Sequence, residues 1–319
     1  MAGGGEGKRS KRGLRHAADR RVLGFALAHY ALVVGAFALG PLYIFIPLLV
    51  VSSFVQLISV HNAMHAPVFY SRSANRAWQC ALSVCIGFPV SIYVPVHNLS
   101  HHLGLQTPRD VLRTTEVRHR RNLLNLVEHM VAGTVHLHML HVAYLGTMRR
   151  SKPRWFAQVL LELTIVIAYF TLLVLAVGPI ALVVLAANIG GQLLMVGFGY
   201  VQHDGCDADS KLDHSRNFTS PVFNWFICDN GYHAAHHDKP GLHWSLGRAA
   251  HEARVVANSH PGLHERSLVA YLWRTFVWPG KRLRFDGMPV VLPAQRERRQ
   301  LWTPPSAIGS GASSGAVDG

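Results

Sequence analysis

The stretch VLGFALAHYALVVGAFALGPLYIFIPLLVVSSFVQLISV, residues 22–60, contains no Asp, Glu, Lys or Arg. The pair Gly40-Pro41 divides it into halves of about 19 residues, close to the roughly 20 that a helix needs to cross the hydrocarbon of a bilayer. Gly and Pro together favour a turn. This stretch therefore predicts a hairpin of two transmembrane helices, residues 22–39 and 42–60.

A second apolar stretch predicts another hairpin, with spans at residues 155–177 and 180–202. Gly178-Pro179 marks its turn, and Glu162 is its only charged residue. Because Glu162 lies about eight residues from the preceding basic flank, we expect it near the membrane interface and partly exposed.

The distribution of the basic residues indicates a membrane protein rather than a nucleic-acid-binding protein. The net charge is +14, and all 31 Lys and Arg fall in residues 8–21, 72–154 and 211–299, with apolar stretches between these blocks. Such alternation follows the positive-inside rule, whereas a nucleic-acid binder concentrates its charge on one soluble surface. Since neither hairpin tip carries Lys or Arg, we expect both termini and the middle loop to be cytoplasmic, and we expect no nucleic-acid partner.

The rest of the chain completes a predicted all-α integral membrane protein. Residues 1–21 are Gly-rich and basic, and residues 303–319 are mostly Pro, Gly, Ser and Ala. Both compositions are typical of disorder, which leaves residues 22–302 as one membrane domain. The weaker apolar segments 78–96 and 122–147 are interrupted by Gly and Pro or carry Glu and His, so they are predicted to be interfacial or re-entrant.

Histidine is unusually frequent, with 21 copies against 17 acidic residues. Residues spaced i, i+3 and i+4 project from one face of a helix, so histidines at that spacing can reach one site. Neighbouring histidines diverge by about 100° on a helix, so an HH pair can address two metal ions. Three clusters show this spacing: His61-Asn-Ala-Met-His65, His97-Asn-Leu-Ser-His101-His102 and His233-Ala-Ala-His236-His237.

The positions of the clusters suggest one shared site. The first lies at the end of the second predicted span, the second follows the interrupted segment and the third follows the second hairpin, while His203 emerges from the last span. Imidazole binds iron, zinc, copper and nickel, so ligand type leaves the metal open, but nine rings exceed the four ligands of structural zinc. We expect nine imidazoles to meet at one membrane face: His61, His65, His97, His101, His102, His203, His233, His236 and His237.

These clusters, the two hairpins and the extra histidine resemble the membrane-bound fatty acid desaturase superfamily, with its HxxxH, HxxxHH and HxxHH boxes, over roughly residues 22–290. The resemblance implies that the three clusters are the boxes and that His203 is the separate upstream ligand. It also implies two iron ions in a cytoplasmic helical domain, O2 as co-substrate, an external electron donor, and removal of hydrogen from adjacent unactivated carbons.

Two details limit the resemblance. The first box has three residues between its histidines, where animal acyl-CoA desaturases usually have four. This spacing is more similar to that of bacterial and acyl-lipid members. It therefore favours a bacterial inner membrane over the endoplasmic reticulum as the location. The animal-type enzymes also have an Asn ligand four residues before the upstream histidine, where this chain has Gly199. A tenth ligand is therefore not implied.

The expected reaction is oxygen-dependent desaturation of a fatty-acyl chain, with electrons from a ferredoxin, cytochrome b5 or similar carrier. A hydroxylase or ketolase acting on a lipid or carotenoid is the nearest alternative, because the reactions diverge only after hydrogen abstraction. A metal transporter or sensor is a remote alternative, since such proteins place polar ligands within their spans and these spans contain only His29 and Glu162. Substrate chain, head group, double-bond position, electron donor and oligomeric state stay open.

Several residues outside the clusters carry separate expectations. Carboxylates or carbonyls usually accept the second N–H of a metal-bound imidazole, and Asp204, Asp229 and Asn230 are candidates for this role. His29 is expected to form a hydrogen bond inside the helical bundle. The histidine-rich patch His136, His138 and His141 is expected to lie outside the metal site.

Overall fold

The computed structural model describes residues 13–295. Its helices are α1 (Arg20–Leu39), α2 (Leu42–His65), α3 (Arg72–Ile86), α4 (His102–Gly104), α5 (Asn122–Ser151), α6 (Pro153–Val177), α7 (Leu182–His203), α8 (Pro221–Phe226), α9 (His233–Asp238), α10 (Gly247–Ala250) and α11 (Leu268–Leu272). The described π-helical stretches are Pro95–His101, His251–Val255 and Trp273–Val277. The 3-10 turns are Ala17–Asp19, Val90–Ile92, Thr114–Glu116, Pro179–Ala181, Trp244–Leu246 and Pro261–Leu263. Strands β1 (Asn217–Phe218) and β2 (His264–Glu265) pair in parallel.

The two hairpins are present, and the predicted all-α membrane fold is confirmed. Four helical stretches within residues 13–295 are long and apolar enough to cross a membrane: Ala17–Leu39, Leu42–His65, Pro153–Val177 and Pro179–His203. Large apolar side chains such as Leu27 on α1 and Leu175 on α6 are exposed, as expected of helices that face lipid. The chain is thus a multi-pass membrane protein.

Small residues allow α2 and α7 to approach each other closely. A Cβ atom added at Gly191 would lie 2.7 Å from the Cβ of Ser53, and one at Gly190 would lie 3.1 Å from a methyl carbon of Val50. In membranes such small residues let helix backbones pack tightly. This contact matters for the site because α2 ends at His65 and α7 ends at His203.

The interrupted segment bends sharply between α3 and the second histidine cluster. Helix α3 ends at Ile86 and is capped by Gly87, which has a φ of 77°, a left-handed conformation that favours glycine. The two arms, Arg72–Ile86 and Val90–Gly104, meet at 87°. This bend agrees with the predicted interruption of residues 78–96, and it directs the second cluster back toward the ends of α2 and α7.

The prediction that Glu162 is partly exposed was wrong, because this side chain is fully buried. The backbone N–H of Ser91 donates to one carboxylate oxygen over 2.8 Å, and the Ser91 hydroxyl donates to the other over 2.7 Å. Gln158 donates a third hydrogen bond over 2.9 Å. The bent segment covers this face of α6, so Glu162 contacts protein, and a buried carboxylate requires such hydrogen bonds.

Glu162→Leu is expected to lower the melting temperature of the detergent-solubilised protein clearly. It leaves two Ser91 donors buried without an acceptor, and each unsatisfied group costs about 1–3 kcal/mol. Glu252→Leu is the matched control, because Glu252 is exposed and forms a surface ion pair with Arg248. Equal melting temperatures for the two variants would show that Glu162 does not anchor the bent segment.

The long helix α5 has 30 residues and covers the predicted interfacial segment 122–147. It packs against α7 and against the π-helix Pro95–His101. Close approach to α7 again depends on glycine, since a Cβ at Gly133 would lie 2.9 Å from Val196. Helix α5 therefore forms a wall beside the second histidine cluster.

The N-terminal part of the described chain contacts the body of the protein. Asp19 is buried and accepts hydrogen bonds from the His243 ring over 3.0 Å and from the Trp244 ring N–H over 2.9 Å. Residues 13–21 are thus folded, although the sequence places them in a disordered N-terminus. Residues 1–12 and the predicted tail 303–319 lie outside the described residues.

Candidate metal centre

The structure brings all nine predicted rings into one region. His61 and His65 lie in the last turns of α2, His97 and His101 lie on the π-helix, and His203 is the last residue of α7. The remaining rings are His102, at the start of α4, and His233, His236 and His237 on α9. Four segments that are far apart in sequence therefore converge on this region.

One group of four ligand atoms comes from His61, His65, His97 and His236. These atoms all lie within 4.8 Å of one another. His102 borders the group, because its Nε2 lies 3.0 Å from the Nε2 of His97 and 3.0 Å from the Nε2 of His236. The first group therefore offers four or five nitrogen ligands to one ion.

A second group comes from His101, His203, His233 and His237, again with ligand atoms within 4.8 Å. The Nε2 of His233 lies 2.9 Å from that of His203 and 3.2 Å from that of His237. The rings of His102 and His237 are 4.4 Å apart. The two groups are therefore adjacent, as two ions of one centre would require.

The close nitrogen contacts suit metal binding better than hydrogen bonding. Imidazole nitrogens bind such metals at about 2.1 Å, which places neighbouring ligand atoms about 3 Å apart. The Nε2 of His236 lies 3.0 Å from the Nε2 of both His61 and His102, yet one N–H can donate only one good hydrogen bond. Within residues 13–295, the buried Nε2 of His65 has no hydrogen-bond partner at all. The residues present thus fit two metal ions.

The third cluster is held in the neutral form that binds metal. Burial and the neighbouring imidazoles lower the pKa of His233, His236 and His237 well below the usual value. A neutral imidazole keeps a lone pair on one nitrogen, and metal binding requires that lone pair. No proton has to be displaced from these rings at neutral pH.

Two ligand rings are oriented from behind by hydrogen bonds at Nδ1. His101 Nδ1 lies 3.0 Å from a carboxylate oxygen of Asp110, and His203 Nδ1 lies 3.0 Å from the backbone oxygen of His214. Each acceptor favours the tautomer with hydrogen on Nδ1 and leaves Nε2 free for a metal. The second group is therefore pre-oriented.

Sequence reasoning missed Asp110, which is fully buried behind His101. Its carboxylate also accepts the backbone N–H groups of Gln106 and Leu112, over 3.0 and 2.9 Å. Burial raises the pKa of Asp110, but His101 and these N–H groups outweigh burial and lower it below the usual value. The only signal in the sequence is an acidic residue soon after the second cluster.

The residues predicted to support the ligand rings form their hydrogen bonds elsewhere in the described chain. Asp204 instead forms a buried ion pair with Arg282, with oxygen–nitrogen distances of 2.5 to 3.1 Å. The backbone oxygen of Asn230 accepts a hydrogen bond from Gln202 over 3.0 Å. In the part of the chain that the structure describes, no hydrogen bond joins Asp204, Asp229 or Asn230 to a ligand ring. Asp204 follows His203 directly, so its side chain leaves the helix in a different direction.

A cavity reaches both groups of rings from inside the helical bundle. It encloses about 730 Å³, including its open mouth. Rings from both groups line it: His61, His97, His101, His203 and His233. Most of the remaining lining is apolar, from Leu57, Phe88, Val96, Leu137, Met195 and Val196. Gly199, where no tenth ligand was expected, also faces this space.

The other singled-out histidines lie outside both groups. His29 is buried and its Nδ1 lies 3.0 Å from the Ser52 hydroxyl, which confirms the predicted hydrogen bond. His138 pairs with Gln192 over 3.2 Å. His136, His138 and His141 belong to neither group of ligand atoms, but His141 lines the cavity, a position that its spacing did not predict.

Comparison with known proteins gives one family. The family model described as fatty acid desaturase matches residues 40–267, which is more than two thirds of the chain and includes all nine rings. No curated protein and no solved structure matches the chain.

Proposed function

The chain belongs to the fatty acid desaturase family, and on that premise we propose that it desaturates a fatty-acyl chain with O2 at two histidine-bound iron ions. Membership of this family makes it an oxidoreductase of the desaturase or hydroxylase kind. The observation that carries the proposal is the largely apolar cavity that meets both groups of rings.

The nine rings divide naturally between two ions. We assign His61, His65, His97 and His236, with His102 beside them, to one ion, and His101, His203, His233 and His237 to the other. When bound, the two irons supply the activation of O2 and the abstraction of hydrogen from unactivated carbon. The protein supplies neutral ligands, fixes their orientation through groups such as Asp110 and excludes water from most of the site.

The cavity suits a long apolar chain. Gln192 and His203 both line it, and they lie about three turns apart on α7, or roughly 16 Å along the helix axis. Apolar side chains such as Leu57, Leu137 and Val196 can pack against a hydrocarbon chain, and they contain no polar group that the chain would leave unsatisfied. The reacting carbons would lie beside the rings at one end, and the rest of the chain would extend into the bundle.

Electrons would reach the centre through a second hollow. A second hollow, of about 410 Å³ including its open mouth, is lined by His65 and His236 together with polar residues such as Asp229 and Lys239. These two rings belong to the first group. We propose that an external ferredoxin, cytochrome b5 or similar carrier delivers electrons at this face, which we also propose to be cytoplasmic.

Product analysis tests the proposal directly. The purified protein should contain about two irons per chain, the number that the two groups of ligands would hold. Supplied with O2, an electron-donor system and isotope-labelled saturated acyl substrates, it should yield a product that has lost two hydrogens. A hydroxyl or keto product would instead support the alternative of a hydroxylase or ketolase. Zinc in place of iron, with no oxygen consumption, would exclude both reactions.

A further inference from the structure

His141 is a buried polar residue whose ring nitrogens have no partner. Its side chain is only 4% exposed, and among the described residues neither Nδ1 nor Nε2 forms a hydrogen bond. The residue lines the same cavity as the ligand rings. An unsatisfied buried polar group lowers the stability of a protein by about 1–3 kcal/mol, so a partner is expected for this imidazole.

Two other histidines of the helical bundle have hydrogen-bond partners within the protein. His29 is paired with Ser52, and His138 is paired with Gln192. His141 contacts the His138 ring, with centroids 5.5 Å apart, but that contact satisfies neither ring nitrogen. The missing partner therefore fits a molecule that enters the cavity.

Gln192 adds a second polar group to this part of the cavity. It is buried, and its side-chain oxygen faces His138 Nε2 over 3.2 Å. Its amide N–H groups are then the donors that remain for a molecule bound in the cavity. His141 and Gln192 together can supply hydrogen-bond donors and one imidazole acceptor within otherwise apolar walls.

We propose that the substrate carries a hydroxyl group on its hydrocarbon chain, and that His141, assisted by the Gln192 amide, holds the oxygen of this group in the bundle while the reacting carbons lie at the metal centre. This inference rests on the proposed oxidation of an apolar chain and specifies its substrate class. Along the axis of α7, Gln192 lies roughly 16 Å from His203, so the bound oxygen and the reacting carbons occupy different parts of the cavity.

The charge state of His141 selects a neutral oxygen. Burial, with a smaller effect from His138, lowers the pKa of His141 to about 3. The ring is therefore uncharged at neutral pH and presents one donor and one acceptor. A free carboxylate would remain without a counter-charge here, whereas a hydroxyl group, which is both donor and acceptor, matches the available hydrogen bonds.

The test compares octadecanoyl substrates with hydroxyoctadecanoyl regioisomers in membranes that contain the full-length protein. The wild type is expected to favour one hydroxylated regioisomer over the plain chain by about 10-fold or more in kcat/KM, because a site built to bond a hydroxyl discriminates against a chain that lacks it. His141→Phe should remove that preference, so that the ratio of kcat/KM for the hydroxylated and plain chains falls to about 1.

Two further variants separate ligand binding from packing. His141→Gln keeps a donor and an acceptor and should restore part of the preference. His136→Phe is the matched control, since His136 lies on the same helix but not in the cavity. Because His141 makes no hydrogen bond to the described protein, His141→Phe should leave the melting temperature unchanged or raise it.

The possible outcomes distinguish this inference from the proposed function. If wild type and His141→Phe show the same ratio of kcat/KM for hydroxylated and plain chains, His141 does not bind the substrate hydroxyl and the inference is overturned. The proposed desaturation is not affected by this result. If the products carry new hydroxyl groups, the proposed desaturation fails, and the preference ratio of the two proteins still decides the role of His141. A clear fall in melting temperature for His141→Phe would assign the residue to packing.

Discussion

His101→Ala is expected to reduce product formation to the background of the host membrane. His101 belongs to the second group of rings, where it has three histidine partners. Its loss leaves three nitrogens for an ion that needs a complete set of ligands, and it also leaves the buried Asp110 carboxylate without the ring that it orients. Iron per chain should fall from about two to about one, because a vacant ligand position weakens binding at that ion alone.

His136→Ala provides the control for this variant. It removes a partly buried imidazole from α5 that belongs to neither group, so iron content and activity should stay close to wild type. Membrane insertion is measured for both variants by extraction and by size-exclusion chromatography in detergent. Substantial activity in a correctly inserted His101→Ala protein would contradict the assignment of the second group.

Asp110→Asn is expected to lower iron affinity or activity by about 10–100-fold, the usual effect of losing a group that orients a metal-bound imidazole. Asparagine has nearly the same shape, but it removes the negative charge that favours the Nδ1–H tautomer of His101. It also leaves one oxygen to accept hydrogen bonds that two oxygens now accept from His101, Gln106 and Leu112.

Metal titration of the apo-protein separates this effect from general damage. The second ion should dissociate first in Asp110→Asn, while the first ion keeps its affinity, because Asp110 bonds only His101 among the nine rings. Asp209→Asn is the matched control, an exposed aspartate on a loop. Unchanged affinity for both ions would show that Asp110 serves only the fold of its own loop.

The spans could be predicted from the sequence because their signal is local. The predicted spans 22–39 and 42–60 correspond to α1 and α2, and the spans 155–177 and 180–202 correspond to α6 and α7 with its preceding turn. Each depends on a run of bilayer length with at most one charged residue and on a Gly-Pro pair at the tip. Neither requires knowledge of distant residues.

The predictions for single polar residues were less successful, because their environment depends on contacts between distant segments. Glu162 was expected near the interface, but Ser91 lies against it, 71 positions away in sequence. Asp204 was expected to support a ligand ring, but Arg282 lies nearer and binds it. The donor that each carboxylate meets depends on which segment packs alongside it, and the spacing of residues in the sequence carries no information about that packing.

The amino-acid sequence alone determined the membrane class and the four candidate spans, and it predicted the nine histidines as one set, since helical spacing fixes which rings share a face. Only the tertiary structure decided how those rings divide into two groups, that Asp110 supports His101, and that His141 faces the cavity. These features depend on the 87° bend after α3 and on the packing of α5 and α7. Such geometry results from many weak contacts between remote residues, and no short stretch of sequence encodes it.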